Sequence, residues 1–388
     1  MTTAVIVDVV RTPSGRGKPG GALSGVHPVD LAAGVLSAVL ERNGLESRQI
    51  DDVLLGCVSQ IGEQSANIAR LAALAAGFDE TVPATTIDRQ CGSSQQAAHF
   101  AAQGVMAGAY DVVIAGGVES MSRVPLGTAG ASGSPFSPRV RERYPEGLVN
   151  QGVSAELIAQ RWGFTREQLD RFAAESHARA ARAIADGGFA SQLLPVGEVT
   201  TDETVRPSTT ADALAGLQPA FRTDEYAARF PDVDWKITPG NSSPLTDGAS
   251  AALIMSEERA RELGLTPRAR FHAFAVVGDD PLMMLTGPIP ATARILERSG
   301  LTIDDLDVYE VNEAFASVPL AWAAETGADP AKLNPWGGAI ALGHALGSSG
   351  TRLLGTLLAS LEATGGRFGL QTMCEGGGMA NATIIERL

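Results

Sequence analysis

Apolar positions in the first third of the chain come in two textures, short dense runs and longer runs with helical spacing. Ala4 to Val10 is apolar except at Asp8, which predicts a buried strand. Pro28 to Asn43 sets Leu31, Val35, Val39 and Leu40 on one side of a helix, with Gly44 placed to cap its C-terminus. The pattern continues with a strand over Ile50 to Val58, an alanine-rich helix over Asn67 to Gly77, and a β-prone run through Thr86 and Ile87. A helix follows from about Cys91 to Met106, then a strand over Asp111 to Gly117 that ends in glycines. Such alternation predicts a mostly parallel sheet covered by helices on both faces. Beyond Glu119 the rhythm weakens: Arg166 to Asp186 reads as a charged helix, and loops carry Arg206, Pro207, Arg222 and Arg229. The strand pattern returns at Asp247 to Ser256. The chain therefore divides into 1–118, an inserted, capping stretch 119–246, and 247–388.

An internal repeat ties the outer stretches together. Leu40-Glu41-Arg42-Asn43-Gly44-Leu45 recurs as Leu296-Glu297-Arg298-Ser299-Gly300-Leu301, and Gly92-Ser93-Ser94 recurs as Gly347-Ser348-Ser349 at almost the same offset. Two repeated words in matching positions predict a duplicated α/β fold. Two similar halves packed together offer a junction where reactive loops from each can meet.

Composition narrows the functional classes. A chain of 388 residues exceeds the size at which one core keeps growing, and its 44 glycines follow no fixed period. The formal charge of −14, without a basic block, disfavours nucleic acid and anionic membranes as partners. Cys57, Cys91 and Cys374 make neither a disulfide framework nor a metal-ligand spacing. We expect a reducing cytoplasm, no bound metal, no membrane-spanning segment and no signal peptide.

Three segments carry candidate chemistry. Cys91 lies where a strand gives way to a helix, a setting in which unpaired N–H groups and the helix dipole favour a thiolate. His344 ends the small-residue run that begins at Asn334, and Cys374 opens Cys374-Glu375-Gly376-Gly377-Gly378. A cysteine nucleophile with a nearby histidine base suits acyl transfer from a thioester, and a second cysteine serves as acid and base. Backbone N–H groups of Cys91 and Gly376 would form an oxyanion site. Cys57, in an apolar run, reads as structural. Phosphate-loop, dinucleotide-binding and serine-hydrolase motifs are absent from the glycine-rich stretches.

Taken in order, these motifs resemble the thiolase family over essentially the whole chain. Cys91-Gly92-Ser93-Ser94 resembles its nucleophile motif, Asn312-Glu313-Ala314-Phe315 its Asn-Glu-Ala-Phe motif, and Gly337 to His344 its glycine-rich histidine motif. Cys374 to Gly378 resembles its Cys-x-Gly-Gly-Gly motif. The resemblance implies a five-layer α-β-α-β-α fold with an inserted loop domain that cradles coenzyme A, and a homodimer or homotetramer. It implies Asn312 as holder of an oxyanion-hole water, His344 as base and second half of that hole, and Cys374 as acid/base. It also implies CoA contacts at Arg206, Ser243, Met284 and Phe315. No permanently bound cofactor is implied, since CoA and acyl-CoA thioesters are the substrates. The sequence departs from the family at Ala345, where proline is usual, and at Trp336, where asparagine commonly precedes the glycine pair. We expect the first to loosen the catalytic loop and the second to narrow or reshape the pocket.

Asn150-Gln151-Gly152 stands where biosynthetic acetoacetyl-CoA thiolases commonly carry His-Met-Gly. The segments Gln60 to Gln64, Gln95-Gln96 and Met373 to Glu375 resemble actinobacterial thiolases of steroid and lipid breakdown. Degradative thiolysis of a 3-ketoacyl-CoA, as in β-oxidation or steroid catabolism, is therefore the leading expectation, with acetyl-CoA acetyltransferase as runner-up. A decarboxylating ketoacyl synthase and a noncatalytic acyl-CoA or lipid binder are the alternatives from other classes.

Overall fold

The computed structural model describes residues 2–131 and 133–388. In chain order the first half contains β1 (Ala4–Arg11), β2 (Gly15–Arg16), α1 (Pro28–Asn43), β3 (Asp52–Gly56), α2 (Ile68–Ala75), β4 (Ala84–Ile87), α3 (Ser93–Met106) and β5 (Val112–Ser120). A loop-rich stretch with α4 (Pro138–Arg143), α5 (Gln151–Arg161), α6 (Arg166–Ala185), α7 (Ala211–Ala215) and α8 (Asp224–Arg229) separates β5 from β6 (Thr246–Ser256). Then come α9 (Glu257–Glu262), β7 (Ala269–Gly278), α10 (Pro288–Ser299), β8 (Val308–Val311), α11 (Ser317–Thr326), α12 (Ala339–Leu342), α13 (Ser349–Thr364), β9 (Phe368–Glu375) and β10 (Met379–Arg387).

The helix caps follow their residues. Gly44 ends α1 with φ +61° and Gly300 ends α10 with φ +72°, both left-handed, at equivalent positions of the repeated word. The repeat extends through the architecture. The sheet order β4-β3-β5-β6-β1 in one half is mirrored by β8-β9-β10-β7 in the other. The two join where Val5 and Ile6 pair with Arg270 and Ala269.

Helices α3 and α13 fill the space between the two half-sheets: Ala97, Ala101 and Val105 share one core with Leu354, Leu357 and Leu361. That core also holds Leu54, Val113 and Ile254 from the first sheet and Val308 and Ile385 from the second. Outside, α1 and α2 cover the first sheet and α10 and α11 the second, each with its own apolar core. The result is the five-layer α-β-α-β-α arrangement, with α3 and α13 as its central layer. Gly350 permits their close crossing, since a Cβ there would stand 2.7 Å from Cβ of Gln95.

Two sequence expectations need correction. The sheet is mixed rather than mostly parallel: β3 runs parallel to β4 and β5, and β8 to β9, but the remaining long-strand pairings are antiparallel. The physical reason lies in the pair that closes each half. β9 and β10 form a hairpin across Gly376-Gly377-Gly378, and β5 pairs antiparallel with β6 in the same way. In the first half that hairpin is opened by the inserted stretch. Consequently the strand at 246–256, read from the sequence as the start of the second half, lies between β5 and β1 and completes the first.

Candidate active site

Cys91 follows β4 and precedes α3 by two residues. Gln90 before it takes φ +49°, a strained turn for a non-glycine residue. Ser93 braces that turn: its Oγ accepts from the Arg89 N–H at 2.9 Å and donates to the Gln90 carbonyl at 2.6 Å. Cys91 packs in one apolar cluster with Met121, Leu346 and Met373, so it meets the chain two residues past His344 and one residue before Cys374. The backbone N–H groups of Cys91 and Gly376 act on its thiol in the direction that favours the thiolate.

His344 is fixed by its neighbours. Its own N–H donates to Thr246 Oγ1 at 2.9 Å. Gly343 before it has φ +82°, and a Cβ there would stand 2.7 Å from Thr246 Oγ1, so this tight turn needs glycine. Ser349 Oγ donates to the Ala345 carbonyl at 2.8 Å and lies 2.6 Å from His344 Nδ1. With its proton committed, the hydroxyl accepts from Nδ1–H, and Nε2 is left as the basic nitrogen. Asn312 Nδ2 donates to that Nε2 at 3.3 Å, while Asn312 Oδ1 is buried without a protein partner.

Burial dominates the electrostatics. Desolvation pushes the Cys91 thiol up to about 12, aided by Glu375, against the two N–H groups that favour its thiolate. Burial thus opposes the thiolate that the helix start and these N–H groups favour. Desolvation, with Arg352 nearby, pulls His344 down to about 3, so the imidazole is neutral and free to accept a proton. Moving the proton from Cys91 to His344 creates a thiolate–imidazolium pair whose attraction is strong in so dry a site. Cys374, fully buried at the end of β9, is raised by desolvation first, then by Cys91 and Glu375.

A cavity of about 690 Å³ opens above these groups. Gln90, His344 and Gly376 contribute to its wall, together with Met121, Leu148, Val149, Phe221, Met284, Phe315 and Leu346. The exposed Leu126, Phe136 and Leu245 also line it. Ser243 belongs to the lining too, its Oγ donating to the Ala314 carbonyl at 3.1 Å where residues 241–243 run beside 314–316.

Of the residues read from the sequence, Cys91 neighbours Cys374 and Gly376, His344 pairs with Asn312, and His344 and Gly376 share the cavity wall with Ser243, Met284 and Phe315. Arg206 does not. It lies against His177 of α6, its backbone N–H donating to Nδ1 at 3.2 Å, and is absent from the cavity wall. Trp336 also faces elsewhere: its ring stacks edge-on against Phe189 at 5.5 Å, so it does not narrow the catalytic cavity. Gly337, at φ +75°, turns the chain between them. Cys57 is buried with its thiol 4.0 Å from the Glu119 carboxylate.

Sequence reasoning did not read the bracing role of two carboxylates, Glu119 and the motif residue Glu313, because their partners are remote in sequence. Glu119 accepts from the N–H groups of Val58, Ser59 and Gly347 at 2.9, 3.1 and 3.0 Å and from Gln64 Nε2 at 2.7 Å. Glu313 accepts from Ser176 Oγ at 2.6 Å, Asn334 Nδ2 at 2.9 Å and the Ile340 N–H at 3.2 Å. It also missed Ser349 and Phe221; Ser349 at least stood in the repeated word.

The family profile described as "Thiolase, N-terminal domain" matches residues 4–258, and that described as "Thiolase, C-terminal domain" matches 265–387. The chain belongs to the thiolase family. Among relatives of this thiolase is the steroid 3-ketoacyl-CoA thiolase FadA6 of Mycobacterium tuberculosis, 48% identical over all of this chain and 95% of that protein. Another is the 3-ketoacyl-CoA thiolase of Enterobacter sp., 45% identical over the full length of both. Among solved structures, the Bacillus anthracis acetyl-CoA acetyltransferase superposes with a TM-score of 0.88 at 38% identity, covering 100% of this chain and 99% of the other. The thiolases are acyltransferase enzymes acting on CoA thioesters. Among the described residues, no group of three or more His, Cys, Asp or Glu side chains is arranged to hold a metal ion. No helix among them is long and apolar enough to cross a membrane.

Proposed function

We propose that this thiolase cleaves a 3-ketoacyl-CoA with coenzyme A, releasing acetyl-CoA or another acyl-CoA and a shortened acyl-CoA. The reading is supported by Cys374 and the Gly376 N–H acting on the Cys91 thiol, with a neutral His344, hydrogen-bonded to Asn312, on the wall of the cavity that Gly376 also lines. His344 takes the Cys91 proton and the thiolate attacks C3 of the substrate. The oxyanion that forms is held by the N–H groups of Cys91 and Gly376. The C2–C3 bond then breaks, leaving an acyl group on Cys91 and an enolate whose oxygen faces His344 Nε2–H and a water held by Asn312. Cys374 protonates the enolate carbon, becomes a thiolate, and recovers a proton from incoming CoA. The CoA thiolate attacks acyl-Cys91, and Cys91 regains its proton from His344. The reverse sequence is a Claisen condensation.

Ser243, Met284 and Phe315 are proposed CoA contacts because they line the cavity; Arg206 is not retained among them. A longer or bulkier acyl group is favoured over acetoacetyl by the apolar wall of Leu148, Val149, Phe221 and Leu346, and by the similarity to a steroid 3-ketoacyl-CoA thiolase. Similarity to an acetyl-CoA acetyltransferase supports the runner-up, condensation of two acetyl-CoA units. A homodimer or homotetramer is supported by the exposed Leu71, Leu74 and Phe100 on helices beside edge strand β4. The need for a free Cys91 thiol favours the cytoplasm.

The test is CoA-dependent thiolysis of acetoacetyl-CoA, a medium-chain and a bulky cyclic 3-ketoacyl-CoA, with mass analysis of Cys91. We expect turnover concentrated on the larger substrates, an acyl adduct on Cys91, and loss of turnover in Cys91→Ala with CoA binding retained. Preference for acetoacetyl-CoA would move the assignment to the acetyltransferase. Ordinary turnover by Cys91→Ala would sink the mechanism.

A further inference from the structure

Glu375 stands in the buried layer behind the two cysteines, and the reaction above makes no use of it. It is the last residue of β9, paired across the hairpin with Met379, and it is 0% exposed. Neither carboxyl oxygen has a hydrogen-bond partner. The head group lies against Gly92, between Cys91 and the first turn of α3: a Cβ on Gly92 would collide with Oε1 and stand 2.9 Å from Cδ. Glu375 also immediately precedes Gly376, whose N–H favours the Cys91 thiolate. A buried carboxyl without donors is held in its neutral form by desolvation.

We propose that Glu375 is an alkaline switch on the nucleophile, a buried neutral acid whose ionisation suppresses formation of the Cys91 thiolate. The inference rests on the reading of Cys91 as nucleophile. In its acid form Glu375 adds no charge to the site. When hydroxide removes its proton, a carboxylate stands against Gly92, beside Cys91, in a buried layer where like charges repel strongly. The other ionisable groups around it do not replace this control. Arg89 draws Glu375 toward ionisation and Asp88 opposes it, both from the segment that carries Cys91. On the strand side Cys374 feels Cys91 and Glu375, and from β5 Glu119 acts on Cys91 more weakly than Glu375 does. Desolvation, partly offset by Arg89, raises the Glu375 carboxyl to about 9, above the working range of a neutral compartment. The site is thus active at neutral pH and self-limiting in alkali.

The experiment measures the rate of Cys91 alkylation by iodoacetamide, read by mass spectrometry of the Cys91 peptide, from pH 6.5 to 10.5 in the wild type and in Glu375→Gln. We expect the two to agree within about threefold near pH 7 and to diverge above pH 9, with the glutamine variant faster on the order of tenfold at pH 10. The wild-type profile should bend near pH 9, while the variant rises as a single ionisation. Superimposable profiles would overturn the proposal. Should the variant fail to fold, the wild-type profile decides alone: a bend supports the proposal and a single-ionisation curve refutes it. Alkylation needs no substrate, so the outcomes separate. Thiolysis surviving in Cys91→Ala removes the nucleophile assignment, whereas a dead Cys91→Ala with superimposable alkylation profiles removes only the role of Glu375.

Discussion

Ser349 decides which nitrogen of His344 carries the proton, through a hydroxyl whose own hydrogen is already given to the Ala345 carbonyl. Removing that hydroxyl leaves Nδ1–H unpaired in a buried site and lets the other tautomer compete for Asn312. Ser349→Ala should therefore lower kcat/KM by roughly tenfold, the equivalent of one hydrogen bond of about 1.4 kcal/mol, with substrate KM little changed. Steady-state kinetics on the preferred 3-ketoacyl-CoA check this, and an unchanged kcat would deny the tautomer argument. The identities of Cys91, His344 and Cys374 were legible in the sequence because each sits in a distinctive small-residue setting. Their protonation states were not. Burial opposes the expectation for Cys91, and burial is a property of everything packed around it.

At the scale of elements, the catalytic loop from Gly337 to Ser348 is held from both halves. Glu119 grips it at the Gly347 N–H, and Glu313 grips it at Ile340. This explains why Ala345, in place of the family's usual proline, does not leave the loop unsupported. Ala345 has φ −71°, close to the value a proline ring enforces, and its N–H makes no hydrogen bond among the described residues. Ala345→Pro should accordingly stabilise the protein by about 0.4–1 kcal/mol by restricting the unfolded chain. A denaturant midpoint that falls instead would mean that the ring clashes with its surroundings. Elements such as α1 and α6 were read to within a residue, since their apolar spacing and caps are local. The orientation of Trp336 was not readable, because the turn at Gly337 sends neighbouring side chains to different faces.

At the scale of the molecule, burying α3 between two sheets buries what it carries. His99 on α3 is 0% exposed, with Nε2 2.7 Å from Thr383 Oγ1 of β10. Desolvation, then Arg89, lowers its pKa from 6.5 to about 3. The folded pKa lies below the unfolded value, so its contribution to stability is whole above pH 6.5 and is lost progressively as the pH falls toward 3. Between pH 7.5 and 5 the wild type should lose roughly 2 kcal/mol more than His99→Gln, as measured by denaturant unfolding at each pH. Equal losses would mean that His99 titrates normally in the folded protein. Duplication, helix and strand periods and the reactive motifs were determined by the sequence alone, because each is carried by neighbours along the chain. Tertiary structure decided the antiparallel closure of each half, the assignment of Thr246–Ser256 to the first half, and the positions of Arg206 and Trp336 away from the cavity. It also decided the charge states of Cys91, His344 and Glu375. These depend on which surfaces meet across large sequence separations and how much water they exclude, quantities that exist only once the chain has folded.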